Sequence, residues 1–130
     1  MRVFGVDPGL TRCGLGVVEG GLGKPLRMIA VGVVRTPTSD EPAMRLLALQ
    51  IEIDEWMARY EPDAVAVERV FAKANIKGIM GTAQASAVPM LAAARRAGGE
   101  DRDDALLVEL VGGDVDRVQR LELARGEIGD

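Results

Sequence analysis

The sequence predicts an α/β protein built on a mixed sheet, antiparallel through its first three strands and parallel at its centre, with helices on its faces. Three observations predict it. Short apolar runs punctuated by Gly and Pro fill residues 1–36. Two longer stretches with helical spacing follow, Pro42 to Glu61 and Ile76 to Arg96. Between them lies Asp63 to Glu68, a short run apolar on both faces, as a central parallel strand would be. The chain has 130 residues, enough for one compact domain.

Taken in order, Arg2 to Asp7 reads as a strand stopped by Pro8-Gly9. Gly14 to Glu19 and Leu26 to Thr36 read as two further strands, joined by a hairpin turn in Gly20 to Pro25. Pro37 to Pro42 is a loop, with Pro42 suited to the first turn of a helix. Leu46, Leu49, Ile53, Met57 and Tyr60 then recur at steps of three and four, and the helix ends near Glu61-Pro62. Asp63 to Glu68 is the fourth strand. Ile76 to Arg96 is a second helix, closed by Gly98-Gly99 and interrupted by Pro89, which removes one backbone bond. Ala105 to Val111 suits a fifth strand and Asp114 to Arg125 a last helix. The order βββαβα(βα) fits a ribonuclease-H-like sheet.

Composition narrows the chemistry. Hydrophobic residues make up 48% and charged residues 28%, which is globular rather than disordered. There is no histidine, so Ser-His-Asp and Cys-His catalysis and histidine-ligated metals are excluded. A lone cysteine, Cys13, allows no intrachain disulfide and no multi-thiolate site, and reads as a small buried residue. Any enzyme chemistry rests on carboxylates, with a hard cation such as Mg²⁺. No run approaches the roughly 18 apolar residues that cross a membrane. Met1-Arg2-Val3-Phe4 enters a strand without a signal peptide, and with the single cysteine this reads as cytoplasmic. Charge is uneven: residues 1–100 carry 12 basic and 11 acidic side chains, and residues 101–130 carry 4 and 9. The sequence divides accordingly into a core, 1–98, and an acidic tail, 99–130.

Two acids stand out by position. Asp7 closes the first strand before Pro8-Gly9, and Glu68 closes the fourth before Arg69. Both are carried to strand ends, where open α/β sheets bind ligands. On neighbouring parallel strands the two ends lie about 4.8 Å apart, close enough for a shared hard cation. Without a cation the like charges raise one pKa. The plainer alternative is that Asp7 caps the Pro-Gly turn and Glu68 pairs with Arg69. In the turn, Gly5-Val6-Asp7-Pro8-Gly9-Leu10-Thr11-Arg12-Cys13-Gly14, Gly9 permits positive φ, and Gly5 and Gly14 permit close approach. Actin-like and sugar-kinase ATPases cradle phosphates with such a turn, whereas ribonuclease-H-class nucleases use its Asp for metal. The second phosphate hairpin and adenosine-binding glycine motif of the ATPases are absent from this sequence.

Residues 1–98 resemble the RuvC family of bacterial Holliday-junction resolvases. The matching blocks are Gly5 to Thr11 with Gly14, Val34-Arg35-Thr36-Pro37, Val67-Glu68-Arg69-Val70-Phe71, and Gly81-Thr82-Ala83-Gln84-Ala85. The resemblance implies a Mg²⁺-dependent endonuclease in DNA recombination and repair that nicks opposite strands of a four-way junction as a homodimer. It makes Asp7 and Glu68 the catalytic ligands of two Mg²⁺ ions. It also implies that Phe71 stacks on or wedges DNA, among the phosphate-contacting Arg69, Lys73 and Lys77, with Arg12 nearby. Gly78 to Ala93 resembles the dimer helix, from which Pro89 departs, and a branch-migration helicase is an implied partner.

Beyond Gly99 the family pattern is lost. The family's late Asp-x-x-Asp-Ala helix, which completes its acidic cluster, and its assisting lysines have no evident copy. Three readings stand: Asp101 and Asp104 are that motif brought forward; Ala105 to Val111 is a fifth strand followed by Asp114 and Asp116; or the tail is not family sequence. If the acids are incomplete, the chain is a junction-binding module without cleavage.

Overall fold

The computed structural model describes residues 1–69, 76–97 and 107–111. Five strands form one sheet: β1 (Arg2–Asp7), β2 (Arg12–Gly21), β3 (Lys24–Arg35), β4 (Ala64–Glu68) and β5 (Leu107–Val111). Their spatial order is β3-β2-β1-β4-β5. The two hairpin pairs are antiparallel, whereas β4 lies parallel to both β1 and β5. Helices α1 (Pro42–Tyr60) and α2 (Ile76–Ala97) make the connections. The expected mixed sheet is therefore present, with its fifth strand described over Leu107–Val111; Ala105 and Leu106 of the predicted strand lie outside the described residues. The predicted last helix, Asp114 to Arg125, lies outside the described residues.

The hairpin closes through Leu22-Gly23, and Gly23 has φ +73, a conformation that glycine adopts without strain. Pro42 occupies the first turn of α1, where its missing N–H costs nothing. Helix α1 ends with Glu61 in the left-handed region, its N–H donated to the Met57 carbonyl at 3.0 Å, and Pro62 prevents continuation.

Alternation divides the sheet into two faces. Phe4, Val6, Cys13, Leu15, Val17, Val65 and Val67 are buried beneath the helices, against Leu49, Ile53 and Met57 of α1 and Ala85, Ala92 and Ala93 of α2. Trp56 stacks on Phe4 at 6.0 Å and covers Gly32, where a Cβ would meet its ring at 2.8 Å. Pro89 sits inside α2 with its ring fully buried, and the helix continues through it to Ala97. The lost backbone bond is offset by apolar burial. Both described helices pack on this one face. The other face carries Gly5, Gly14, Gly16 and Ala66, beside Val31 and Val33 that are 71% and 54% exposed. A trough of about 600 Å³ runs along it.

Candidate functional site

Strand β1 pairs with β4 so that Val6 faces Val67. One step further along both strands stand Asp7 and Glu68, the last residues of each. Neighbouring strands are about 4.8 Å apart, so the two exposed carboxyl groups leave the same edge of the sheet side by side. They close one end of the open trough, at the carboxyl edge of the parallel strands. Short apolar runs that stop at an acid produce this placement, because burying the runs carries the acids to the rim.

The carboxyl groups interact. Glu68's pKa is raised, first by a hydrogen bond to Asp7 that favours its protonated form, then by partial burial, then by repulsion from the Asp7 charge. Two oxygen-donor groups set side by side, with the pKa of Glu68 raised by its neighbour, are a fitting pair for a hard divalent cation, whose charge relieves the repulsion. Among the described residues no third His, Cys, Asp or Glu joins them. Among the described residues no capping hydrogen bond from the Asp7 side chain and no ion pair of Glu68 with Arg69 is formed.

A pH dependence follows. A folded-state carboxyl pKa above the unfolded value means that the folded protein binds more protons in the window between them. Stability then falls as pH rises from the ordinary Glu value of about 4.5 through the raised one, and the penalty persists above it. Melting curves in EDTA should show wild type losing stability relative to Glu68→Gln across that window. Parallel curves for the two proteins would contradict the coupling.

The loop after Asp7 has exacting geometry. A Cβ on Gly9 would collide with the Arg12 carbonyl oxygen, so only glycine fits. The reason differs from the sequence expectation: among the described glycines positive φ occurs at Gly23, and Gly9 is required for space. A Cβ on Gly14 would stand 3.4 Å from the Asp7 Cβ. Cys13 is fully buried, and burial chiefly raises its pKa, so it is an unreactive thiol. Three residues to which the sequence reading assigned no role hold this loop: Thr11, Thr36 and Arg45. Thr36 is buried, its hydroxyl donates to the Leu10 carbonyl, and its N–H donates to Thr11 O at 3.2 Å. Arg45 donates to the Thr36 hydroxyl at 2.9 Å and to the Thr11 hydroxyl at 3.0 Å. One signal was available. Arg45 lies near the N-terminus of α1, where a cation opposes the helix dipole and needs another reason to be there.

Of the remaining sequence candidates, Arg69 is exposed immediately after Glu68. Lys77 belongs to the first turn of α2. Phe71 and Lys73 lie outside the described residues, as do Asp101, Asp104, Asp114 and Asp116. Arg12 is exposed and pairs across the strands with Arg35.

Comparison with known proteins gives a consistent result. The chain is 65% identical to a crossover junction endodeoxyribonuclease RuvC of Parafrankia sp. over 96 residues, covering 74% of this chain and 54% of that protein. For the Streptomyces avermitilis RuvC the identity is 62%, with the same coverage of both chains. The chain thus spans about half the length of these curated relatives. Thermus thermophilus RuvC, solved in complex with a Holliday junction substrate, superposes with a TM-score of 0.71 at 27% identity, covering 87% of this chain and 65% of that one. The yeast mitochondrial Holliday junction resolvase shares the fold, with a TM-score of 0.62 at 12% identity. With the family profile for crossover junction endodeoxyribonuclease RuvC matching residues 3–103, this chain belongs to the RuvC family.

Proposed function

We propose that the chain acts as a Mg²⁺-dependent, structure-selective endonuclease that nicks opposite strands of four-way DNA junctions, in the cytoplasm, during recombination and repair. The observation that carries this reading is the pairing of Asp7 with Glu68 at the carboxyl edge of the sheet. Family membership and the junction-bound Thermus thermophilus relative support the choice of substrate. In this reading Asp7 and Glu68 hold two Mg²⁺ ions. The bound cations would lower the pKa of an attacking water and neutralise charge on the phosphate as the 3′ oxygen leaves. The carboxylates themselves orient the site, and a bound cation would relieve the repulsion between them. Arg69, Lys73 and Lys77 contact phosphates around the crossover, and Phe71 stacks on or wedges the bases.

Two cuts on opposite strands call for two sites, hence a homodimer. The outer face of α2 supports this, because Met80, Ala83, Ala87, Met90 and Leu91 recur there at helical spacing, with Met80 and Leu91 60% and 55% exposed. A branch-migration helicase is the further partner in this reading.

A second reading has one observation in its favour: only two acids meet among the described residues. It makes the chain a junction-binding module that does not cut. A labelled synthetic four-way junction separates the two. Paired nicks in Mg²⁺ and none in EDTA are expected on denaturing gels. A shift on native gels without nicks would favour the binding module. Failure to shift the junction at all would overturn both.

A further inference from the structure

We propose that Arg45 is a positioning residue for the metal centre: through Thr11 and Thr36 it sets the course of the loop that leaves Asp7. The inference rests on the reading of Asp7 as a cation ligand. Asp7 is the last residue of β1, so the strand ladder orients it from one side only. On the other side the chain must turn through Pro8 to Thr11 and re-enter the sheet at Arg12.

The turn is secured by a connected set of bonds from distant parts of the chain. The Thr36 hydroxyl donates to Leu10 O, and the Thr36 N–H donates to Thr11 O at 3.2 Å. Both threonine hydroxyls accept from the single guanidinium of Arg45, at 2.9 and 3.0 Å. Arg45 therefore ties the loop to the end of β3 and both to α1. From the opposite side α2 limits the loop, since a Cβ on Gly81 would lie 3.4 Å from the Leu10 Cβ.

An arginine suits this task for a geometric reason. Its N–H groups are fixed in a plane, so two hydroxyls bonded to one guanidinium hold a defined spacing. Arg45 forms no ion pair with any acid among the described residues. Its place near the N-terminus of α1, in a first turn without acidic residues, is unfavourable for the helix itself. The threonine bonds are what the residue gains there. Groups that orient a ligand from behind are worth about 10- to 100-fold in metal affinity.

The test titrates Mn²⁺ into the metal-free full chain by calorimetry. Arg45→Ala should weaken binding about tenfold. Arg45→Lys should fall between Arg45→Ala and wild type, because an ammonium reaches one hydroxyl well but lacks the planar spacing. Thr11→Ala removes an exposed hydroxyl and should weaken binding in the same direction, which keeps the test open if Arg45→Ala unfolds. The double variant should show less than the sum of the two losses. Mn²⁺ affinity unchanged within about twofold in folded Arg45→Ala or Thr11→Ala, well short of that range, would overturn the proposal.

Hydrogen exchange at the Leu10, Thr11 and Arg12 amides is the second readout. It should quicken in Arg45→Ala while the amides of β4 keep their protection. If wild type itself takes up no Mn²⁺, the ligand reading of Asp7 fails. The bracing is then decided by exchange alone, and unchanged exchange in Arg45→Ala overturns it.

Discussion

Asp7→Asn should lose Mg²⁺-dependent nicking of a four-way junction by at least roughly 100-fold, the upper end of what losing even a supporting group costs a metal site. In EDTA the same variant should be no less stable than wild type. The two effects have one origin. The Asp7 carboxylate faces Glu68 across adjacent parallel strands, and its charge and hydrogen bond raise the Glu68 pKa. Removing the charge removes the repulsion that the metal-free fold tolerates and, on the proposed reading, a ligand of the cation. Glu68→Gln should behave alike. If Asp7 instead served only to cap the Pro8-Gly9 turn, Asp7→Asn would leave nicking intact, because asparagine caps such turns equally well. Melting curves in EDTA beside cleavage gels decide between the two.

Gly9→Ala should be the most damaging single methyl in the loop. Its Cβ would collide with the Arg12 carbonyl oxygen and approach the Arg12 carbonyl carbon to 3.2 Å, and both are backbone atoms at the start of β2. No side-chain rotation relieves that contact, so the turn must open or β2 must shift along β1. A shift would break the pairing of Asp7 with Gly14. We expect a loss of about 2–4 kcal/mol, at the large end of single-residue effects, seen as a melting temperature lower by roughly 10 °C. Cation affinity should fall with it. Gly32→Ala is the informative contrast, because its 2.8 Å contact is with the Trp56 ring. That ring is the far end of a half-buried side chain and not backbone. Equal losses in the two variants would show that the Gly9 turn is more pliable than its backbone contact implies.

Much of the fold was legible locally. The strand from Arg2 to Asp7 has the predicted bounds, and β4 differs from its prediction by one residue. Leu49, Ile53 and Met57 fill the predicted face of α1. These features follow from alternation, helical spacing and the stopping power of Pro and Gly, all of which act within a few residues. Both acids were visible for the same reason, since each ends an apolar run. Lengths were less legible. Strand β3 begins at Lys24, and Leu26 and Met28 remain 80% and 67% exposed where its register against β2 shifts, between Val17 and Val18 and between Glu19 and Gly21. Backbone pairing with β2 sustains that stretch, although its apolar side chains are not buried. Gly9 was recognised as necessary, but its obstacle is a carbonyl three residues away that only the folded turn brings close.

The sequence by itself determined the element order, the strand-end positions of Asp7 and Glu68, the absence of histidine chemistry and the family resemblance. The tertiary structure alone decided which strands became neighbours, and so that the two acids, 61 positions apart, share an edge where Asp7 raises the pKa of Glu68. It also decided that both described helices cover one face, leaving a glycine-floored trough open beside the acids. Arg45, Thr36 and Thr11 became one bonded unit only when α1, the end of β3 and the turn met. The physical reason is range. Backbone dihedrals and side-chain periodicity are written within a few residues, whereas strand pairing and a hydrogen bond between distant side chains exist only once the core has closed around them.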